Sequence, residues 1–194
     1  MNLKSLLTPR LSFRQLVHSD KAPLMEFFAD EIATKFLFIE TEVDRFAESW
    51  LARQMRRYQS TGFGMMAVEL RETGELLGQC GLTLHFVDHV PKWEVGYHFI
   101  RRHWGHGYAT EAARACRDFC FENEMAETVI SLIHHGNDRS QAVARRNGMT
   151  YWKDTTFVGH PAQVFRIRRE EWEKRETPQL PNSTAAAFSS SLMS

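Results

Sequence analysis

The chain has 194 residues, of which 43% are apolar and 25% are charged, a balance typical of one soluble globular domain. Its 24 basic and 24 acidic side chains cancel, which argues against a nucleic-acid-binding protein, because such proteins usually carry a strong basic excess. No apolar stretch is long enough to span a membrane, and residues 1–10 lack the apolar core of a secretory signal. With only three cysteines, Cys80, Cys116 and Cys120, the sequence predicts reduced thiols and a cytoplasmic location.

The first half of the chain predicts helices between strands, and then strands in succession. Ser19-Asp20 offers a helix N-cap after an alternating apolar run, and Thr73-Gly74 is a hairpin signal between two later runs. The predicted elements are a strand over residues 11–17, helices over 22–30 and 42–58, and strands over 65–70, 75–84 and 93–100.

The second half alternates helices and strands before a change in composition. Its predicted elements are a helix over residues 107–123, a strand over 128–133, a helix over 138–147 and strands over 151–157 and 163–168. Three strands in succession exclude a doubly wound fold and indicate an α/β (α+β) domain over residues 1–176. Residues 177–194 are rich in Pro, Ser and Ala, which predicts a disordered tail.

The most informative segment runs from Arg101 to Ala112, between a predicted strand and an Ala-rich helix. Gly105 and Gly107 let the backbone turn sharply and approach a ligand, and the helix N-terminus that follows suits an anion such as pyrophosphate. The segment lacks the Gly-Lys-Ser/Thr of a P-loop, and Thr110 stands where a dinucleotide fingerprint has its third glycine. The pattern therefore predicts a different kind of phosphate loop.

This loop resembles the coenzyme A pyrophosphate loop of the GNAT N-acetyltransferases, in particular the ribosomal-protein N-acetyltransferase branch. The resemblance covers most of the chain, and the order and spacing of its motifs carry it rather than any single one. The similar segments are Thr8-Pro9-Arg10-Leu11-Ser12-Phe13-Arg14, Glu94-Val95-Gly96-Tyr97, Arg102-x-x-Gly105-x-Gly107, Asn137-x-x-Ser140-x-x-Val143 with Gly148-Met149, and Val164-Phe165-Arg166-Ile167 with Glu171-Trp172.

The resemblance implies a single domain with a mixed, mostly antiparallel sheet of about seven strands flanked by helices. It also implies a bulge in the strand that carries Glu94, and a splay from the next strand in which the pantetheine of acetyl-coenzyme A would lie. No metal is expected. The residues implied in cofactor binding are Phe99, Ile100, Arg101, Arg102, Gly105, His106, Gly107, Tyr108, Ala109, Thr110, Asn137, Ser140 and Arg146.

Two residues are candidates for the chemistry of amine acetylation, which needs a proton acceptor and a donor for the departing thiolate. Glu94 is the candidate base, and burial is expected to raise its pKa; the alternative is a structural carboxylate. Ser140 is the candidate thiolate donor, one turn before Ala144, where many family members carry Tyr; the alternative is a plain serine after the N-cap Asn137. Tyr97 and Tyr151 are reserve donors.

The acceptor is expected to be a primary amine, on either a protein N-terminus or a small molecule. Residues 36–42 and 86–92 are predicted as the loops that form its partly apolar mouth. The competing hypothesis is a coenzyme A-binding sensor or scaffold without catalysis, which Glu94 and Ser140 disfavour. A homodimer is left open.

Overall fold

A seven-stranded sheet organises the chain, in the order β1-β2-β3-β4-β5-β7-β6. The computed structural model describes Leu3 and residues 6–176, so the tail predicted at 177–194 lies outside the described residues. The strands are β1 (Leu11–Gln15), β2 (Met65–Leu70), β3 (Leu76–Val87), β4 (Val90–Phe99), β5 (Thr128–Ile133), β6 (Thr150–Phe157) and β7 (His160–Arg168). All neighbouring strands are antiparallel except β4 and β5, which confirms the mixed, mostly antiparallel sheet.

Helices cover both faces of this sheet. They are α1 (Lys21–Phe28), α2 (Glu31–Thr34), α3 (Val43–Ser60), α4 (Tyr108–Glu122), α5 (Asp138–Arg146) and α6 (Arg169–Glu176). Successive residues of β2 point to opposite faces: Met66 and Val68 join the core beneath α4, while Met65 and Ala67 join the core beneath α1 and α3. A strand buried on both faces explains why this segment reads as a continuous apolar run.

The sequence predicted the sheet strands well but missed two helices and one hairpin. The short α2 and the final α6 lack the long apolar stripe that marks a helix in sequence. Residues 86–92 were expected to form an acceptor loop, yet β3 continues to Val87 and β4 begins at Val90. Asp88 and His89 both have positive φ, 50° and 64°, which allows a two-residue turn where a longer loop was predicted.

Within the part of the chain that the structure describes, no helix is both long and apolar enough to cross a bilayer.

Candidate active site

The two parallel strands β4 and β5 separate in the middle of the sheet. They pair only at Trp93 with Val129 and at Glu94 with Ile130. Beyond this point two side chains replace the ladder: the Ser131 hydroxyl donates to the Val95 carbonyl at 2.8 Å, and the Leu132 amide donates to Glu94 Oε1 at 3.3 Å. The splay expected from the family resemblance is therefore present, and side-chain hydrogen bonds close its apex.

The bulge expected in β4 is not present in the described sheet. Strand β4 pairs with β3 without a register shift from Phe99 opposite Gly78 to Val90 opposite Val87. The opening arises instead because β5 diverges from β4, while β4 keeps its regular pairing on the other edge. The prediction of a bulge was wrong for this strand.

A groove of about 2190 Å³ runs through the splay and along both faces of β4. Ordinary small-ligand pockets have volumes of about 300–1,000 Å³, so this groove is large enough for an extended ligand and a second molecule. Residues of β4 alternate between its two sides. His98 packs against Phe27 of α1 and Trp50 of α3, whereas the Tyr97 hydroxyl reaches α5 on the opposite face. Glu94 and Gly96 share the face of His98.

The glycine-rich loop lies at one end of the groove and opens α4. Gly105 and Gly107 have φ of 83° and 80°, values that favour glycine, and Gly107 is the N-cap of α4. No side chain in the described chain caps this helix, so its first N–H groups remain available to an anion. Five residues predicted to bind cofactor line the groove here: Gly105, Gly107, Tyr108, Ala109 and Thr110.

The charged side chains predicted beside this loop do not face the groove. Carboxylates already hold the two arginines: Arg101 pairs with Asp30, while Arg102 pairs with Glu26 and, at 3.0 Å, with Glu75. These ion pairs direct the two guanidinium groups towards Glu26 in α1, Asp30 at the start of α2 and Glu75 before β3, and the contact of either arginine with a coenzyme A phosphate stays a prediction.

Three further residues predicted to bind the cofactor lie around the loop: Phe99, Ile100 and His106. Ile100 is buried in the core beneath α1 and α3, which leaves only its backbone near the loop. The exposed His106 ring stacks on Tyr108 at 5.5 Å. Phe99 lines the groove, and its carbonyl accepts a hydrogen bond of 2.8 Å from the Trp104 indole.

An N-terminal clamp, formed by Thr8, Arg10 and Glu111, supports the loop and was not predicted from sequence. Glu111 in the first turn of α4 accepts from the Thr8 hydroxyl at 2.6 Å and from Arg10 Nε at 2.6 Å. Arg10 also donates to the His106 carbonyl at 3.0 Å, and its guanidinium lies 4.6 Å above the Tyr108 ring. The clamp therefore fixes the glycine-rich loop against the segment that precedes β1.

Helix α5 borders the groove on the same face as the loop. The Asn137 side chain accepts from the Ser140 amide at 3.1 Å, which confirms the predicted N-cap. Tyr97 donates its hydroxyl proton to the Ser140 carbonyl at 2.8 Å, and burial raises the pKa of this phenol. The Ser140 hydroxyl itself has no hydrogen-bond partner among the described residues. Arg146 also lines the groove.

Glu94 is buried and held by several donors on the other face of β4. Its carboxylate accepts from the Thr83 hydroxyl and contacts His85 Nε2, each at 3.0 Å, in addition to the Leu132 amide. Burial alone would raise the pKa of Glu94, but these three partners together lower it below its ordinary value. The expectation of a raised pKa was therefore wrong, because the sequence did not reveal the partners.

His85 is a residue of the groove for which the sequence analysis predicted no role. When its ring is neutral and gives the Nε2 proton to Glu94, the lone pair remains on Nδ1, which has no partner in the described chain. The ring also meets the edge of Phe157 at 5.0 Å between centroids. The signal that could have revealed it is the Thr-x-His pattern of β3, which puts Thr83 and His85 on one face opposite Glu94.

The mouth on the His85 side carries aromatic rings and imidazoles. In the loop predicted over residues 36–42, Phe36 stacks on His134 at 4.9 Å and Phe38 stacks on His160 at 3.5 Å. Both phenylalanines line the groove, as expected, whereas Phe86 is exposed and lies outside it. Tyr151 does not line the groove either, which removes one of the two reserve donors.

Comparison with known proteins identifies the fold and the family. A family model described as an acetyltransferase (GNAT) domain matches residues 10–150. The uncharacterized protein YkkB of Bacillus subtilis (strain 168) is 34% identical over 166 residues, which is 85% of this chain and 96% of that protein. An acetyltransferase from Agrobacterium tumefaciens str. C58 has a TM-score of 0.74 at 28% identity, covering 87% of this chain and 96% of that chain.

A more distant structure shares the fold and holds the cofactor. RimL, a ribosomal α-N-protein acetyltransferase solved in complex with coenzyme A, has a TM-score of 0.65 at 15% identity, over 83% of this chain and 95% of that chain. Here the glycine-rich loop, the uncapped start of α4 and the splay fit the pyrophosphate and pantetheine of such a ligand. The chain belongs to the GNAT family of acetyl-coenzyme A-dependent N-acetyltransferases.

Proposed function

We propose that this enzyme acetylates a primary amine by direct attack on acetyl-coenzyme A, with both substrates bound in the groove. The cofactor lies on the α4 and α5 face, with pyrophosphate at Gly105 and Gly107 and the thioester beside Ser140. The amine enters from the opposite face, next to Glu94. The observation that carries this proposal is the groove itself, which passes through the splay and joins the two faces.

The proton of the attacking amine is taken by His85 Nδ1, and Glu94 positions the imidazole. A carboxylate with a lowered pKa and three hydrogen-bond partners is a weak base at neutral pH, but it fixes the tautomer of a neighbouring histidine well. The Ser140 hydroxyl donates to the sulfur as coenzyme A leaves. No metal and no covalent enzyme intermediate are needed for this route.

The alternative of an inactive coenzyme A-binding sensor finds no support in the comparisons, since the matching family model describes an acetyltransferase domain and a 27% identical relative, p20 of Bacillus licheniformis, is named an uncharacterized N-acetyltransferase. The cytoplasmic location and the homodimer stay predictions of the sequence.

Substituting each member of the His85–Glu94 pair tests the proton route. His85→Gln keeps a donor to Glu94 but has no basic nitrogen, so kcat should fall by about 10²–10⁴-fold. Glu94→Gln should cause a smaller loss, because the imidazole that takes the proton remains. The exposed His89→Gln is the matched control. Normal turnover in His85→Gln together with a large loss in Glu94→Gln would show that Glu94 takes the proton itself.

A further inference from the structure

We infer that the acceptor amine carries a carboxylate, and that Arg57 binds this carboxylate while His85 faces the amine. The inference rests on the proposed function and narrows its acceptor from any primary amine to a small zwitterionic amine. It starts from Arg57, a groove-lining arginine of α3 for which the sequence suggested no role.

Arg57 is a half-buried cation that has no acidic partner in the part of the chain that the structure describes. Its guanidinium makes one hydrogen bond among the described residues, to Gln54 Oε1 at 3.4 Å. That oxygen already accepts the Met65 amide at 3.1 Å, and Gln54 is fully buried, so the bond to Arg57 is a long second contact. Buried charges in proteins are normally paired, because desolvation of an isolated cation is unfavourable. A ligand anion would supply the missing partner.

Arg57 lies on the side of the groove that also holds Glu94. Burial lowers the pKa of Arg57, the neighbouring Arg53 lowers it further, and the charge of Glu94 acts in the opposite direction. The packing places Arg57 on the Glu94 face of β4: its partner Gln54 accepts from the Met65 amide, and the Met65 side chain lies against Gly96, which shares that face with Glu94. Glu94 already has Thr83, His85 and Leu132 as partners, whereas Arg57 has no comparable set.

The charges of the rim do not change this assignment. Glu31, Glu40, Lys35 and Arg53 also line the groove, but all four are exposed, so water screens them. The Arg53 guanidinium lies 5.5 Å from the centre of the Trp50 ring. One inner cation lacking a partner and one inner carboxylate with a full set of partners favour an acceptor with a free anion. A guanidinium fork matches a carboxylate in two parallel hydrogen bonds.

Matched acceptors test the inference on the wild-type enzyme. Acetylation of an α-, a β- and a γ-amino acid by acetyl-coenzyme A is compared with that of their amides and of the decarboxylated amines. Phenylalanine, phenylalaninamide and phenethylamine form the α-amino set, because aromatic rings line the mouth. At least one acid should exceed its amide in kcat/KM by about tenfold or more, as expected for a charge-assisted hydrogen bond.

Substituting Arg57 tests whether this residue is the source of the preference. Arg57→Met should remove the preference by lowering kcat/KM for the acid and leaving the amide unchanged, and Arg57→Lys should restore part of it as a point charge. Arg56→Met is the matched control, since Arg56 is an exposed neighbour outside the groove.

The outcomes separate the two proposals. Equal or better turnover of every amide, or an unchanged preference in a folded Arg57→Met, overturns the carboxylate assignment and leaves the acetyltransferase function standing. Absence of turnover with every amine, while coenzyme A still binds, overturns the proposed function and the inference with it. The comparison of acids with amides uses only the wild-type enzyme. It can therefore overturn the inference even if Arg57→Met fails to fold.

Discussion

Glu94 illustrates how a buried carboxylate acquires a supporting role. A buried, isolated carboxylate would have a raised pKa and could serve as a base near neutral pH. Here Thr83, His85 and Leu132 surround it, so the charged form is favoured and the imidazole is the group left with a free lone pair. In the proposed mechanism, therefore, Glu94, which the sequence suggested as the base, orients His85 instead.

Ser140 lies in the first turn of α5, and the Tyr97 hydroxyl contacts its backbone. Tyr97 is committed to the Ser140 carbonyl, while the Ser140 hydroxyl is uncommitted in the described chain. If Ser140 donates to the departing thiolate, its hydrogen bond strengthens as charge develops on sulfur. Ser140→Ala should therefore lower kcat by about tenfold or more while calorimetric coenzyme A affinity changes little.

Tyr97→Phe provides the comparison for this experiment. It removes a buried hydrogen bond to α5 and should lower stability by about 1 kcal/mol, with a smaller effect on kcat than Ser140→Ala. A Ser140→Ala enzyme with wild-type kcat would eliminate the donor role. A tyrosine at position 144 is not a suitable rescue, because Ala144 is buried in the core and the larger ring would overpack it.

The splay between β4 and β5 is the element that makes the site. Each separated strand leaves backbone groups without ladder partners, which is unfavourable unless something else satisfies them. The Ser131 hydroxyl and the Glu94 carboxylate do so at the apex, and an extended ligand can pair with the backbone farther along. Glu94 thus stabilises the apex of the splay, and in the proposed mechanism the same carboxylate orients the base that faces the amine.

Sequence patterns predicted elements where local periodicity decided the structure. The bounds of β2 and β5 agree with the prediction residue for residue, because both are short apolar runs between clear turns. The β3–β4 turn was missed because Asp88 and His89 adopt positive φ without a glycine to signal it.

The part of the site that depends on local sequence was predicted, and the part that depends on residues distant in sequence was not. Gly105, Gly107 and Asn137 determine the local backbone conformation at the start of a helix, and a short sequence motif is enough to predict such a conformation. The ion pair of Arg102 with Glu75 and the contact of His85 with Glu94 were not predicted, because the two partners of each pair lie on different strands or turns. Partners distant in sequence decide where a long charged side chain points, and one sequence does not reveal them.

At the scale of the whole molecule, His98 makes stability depend on pH. Its ring is buried between Phe27 and Trp50, Nδ1 has no partner in the described chain, and burial lowers its pKa to about 4. In the unfolded chain a histidine titrates near 6.5, so between these values the unfolded state binds more protons. The stability is complete above about pH 6.5 and is lost as pH falls towards about 4.

Replacing His98 with an apolar ring should remove this acid sensitivity. From pH 7 to pH 5 the wild type should lose about 2 kcal/mol more unfolding free energy than His98→Phe, as measured by urea denaturation. Other titrating groups affect both proteins and cancel in the difference. An equal loss in the two proteins would mean that His98 is protonated, or reaches water, in the folded state.

The groove is lined by different helices on the two faces of the sheet. Helices α4 and α5 border one side of the groove, with the loop and Ser140, while α1 and α3 border the other side, with His85 and Arg57. In the proposed mechanism the first side holds acetyl-coenzyme A, the second holds the acceptor, and the amine reaches the thioester through the splay. The proposed mechanism is direct transfer between bound substrates; the described cysteines are all buried in the core and none of them lines the groove.

A single-turnover mass balance tests direct transfer most clearly. Enzyme in excess over acetyl-coenzyme A is mixed with an amine acceptor and quenched over time, and free thiol, amide product and intact protein mass are measured together. We predict one amide for each thiol released, no acetylated protein at any time, and no thiol release without the amine. Acetyl groups that appear on the protein before the amide, or thiol release that proceeds without acceptor, would contradict direct transfer across the splay.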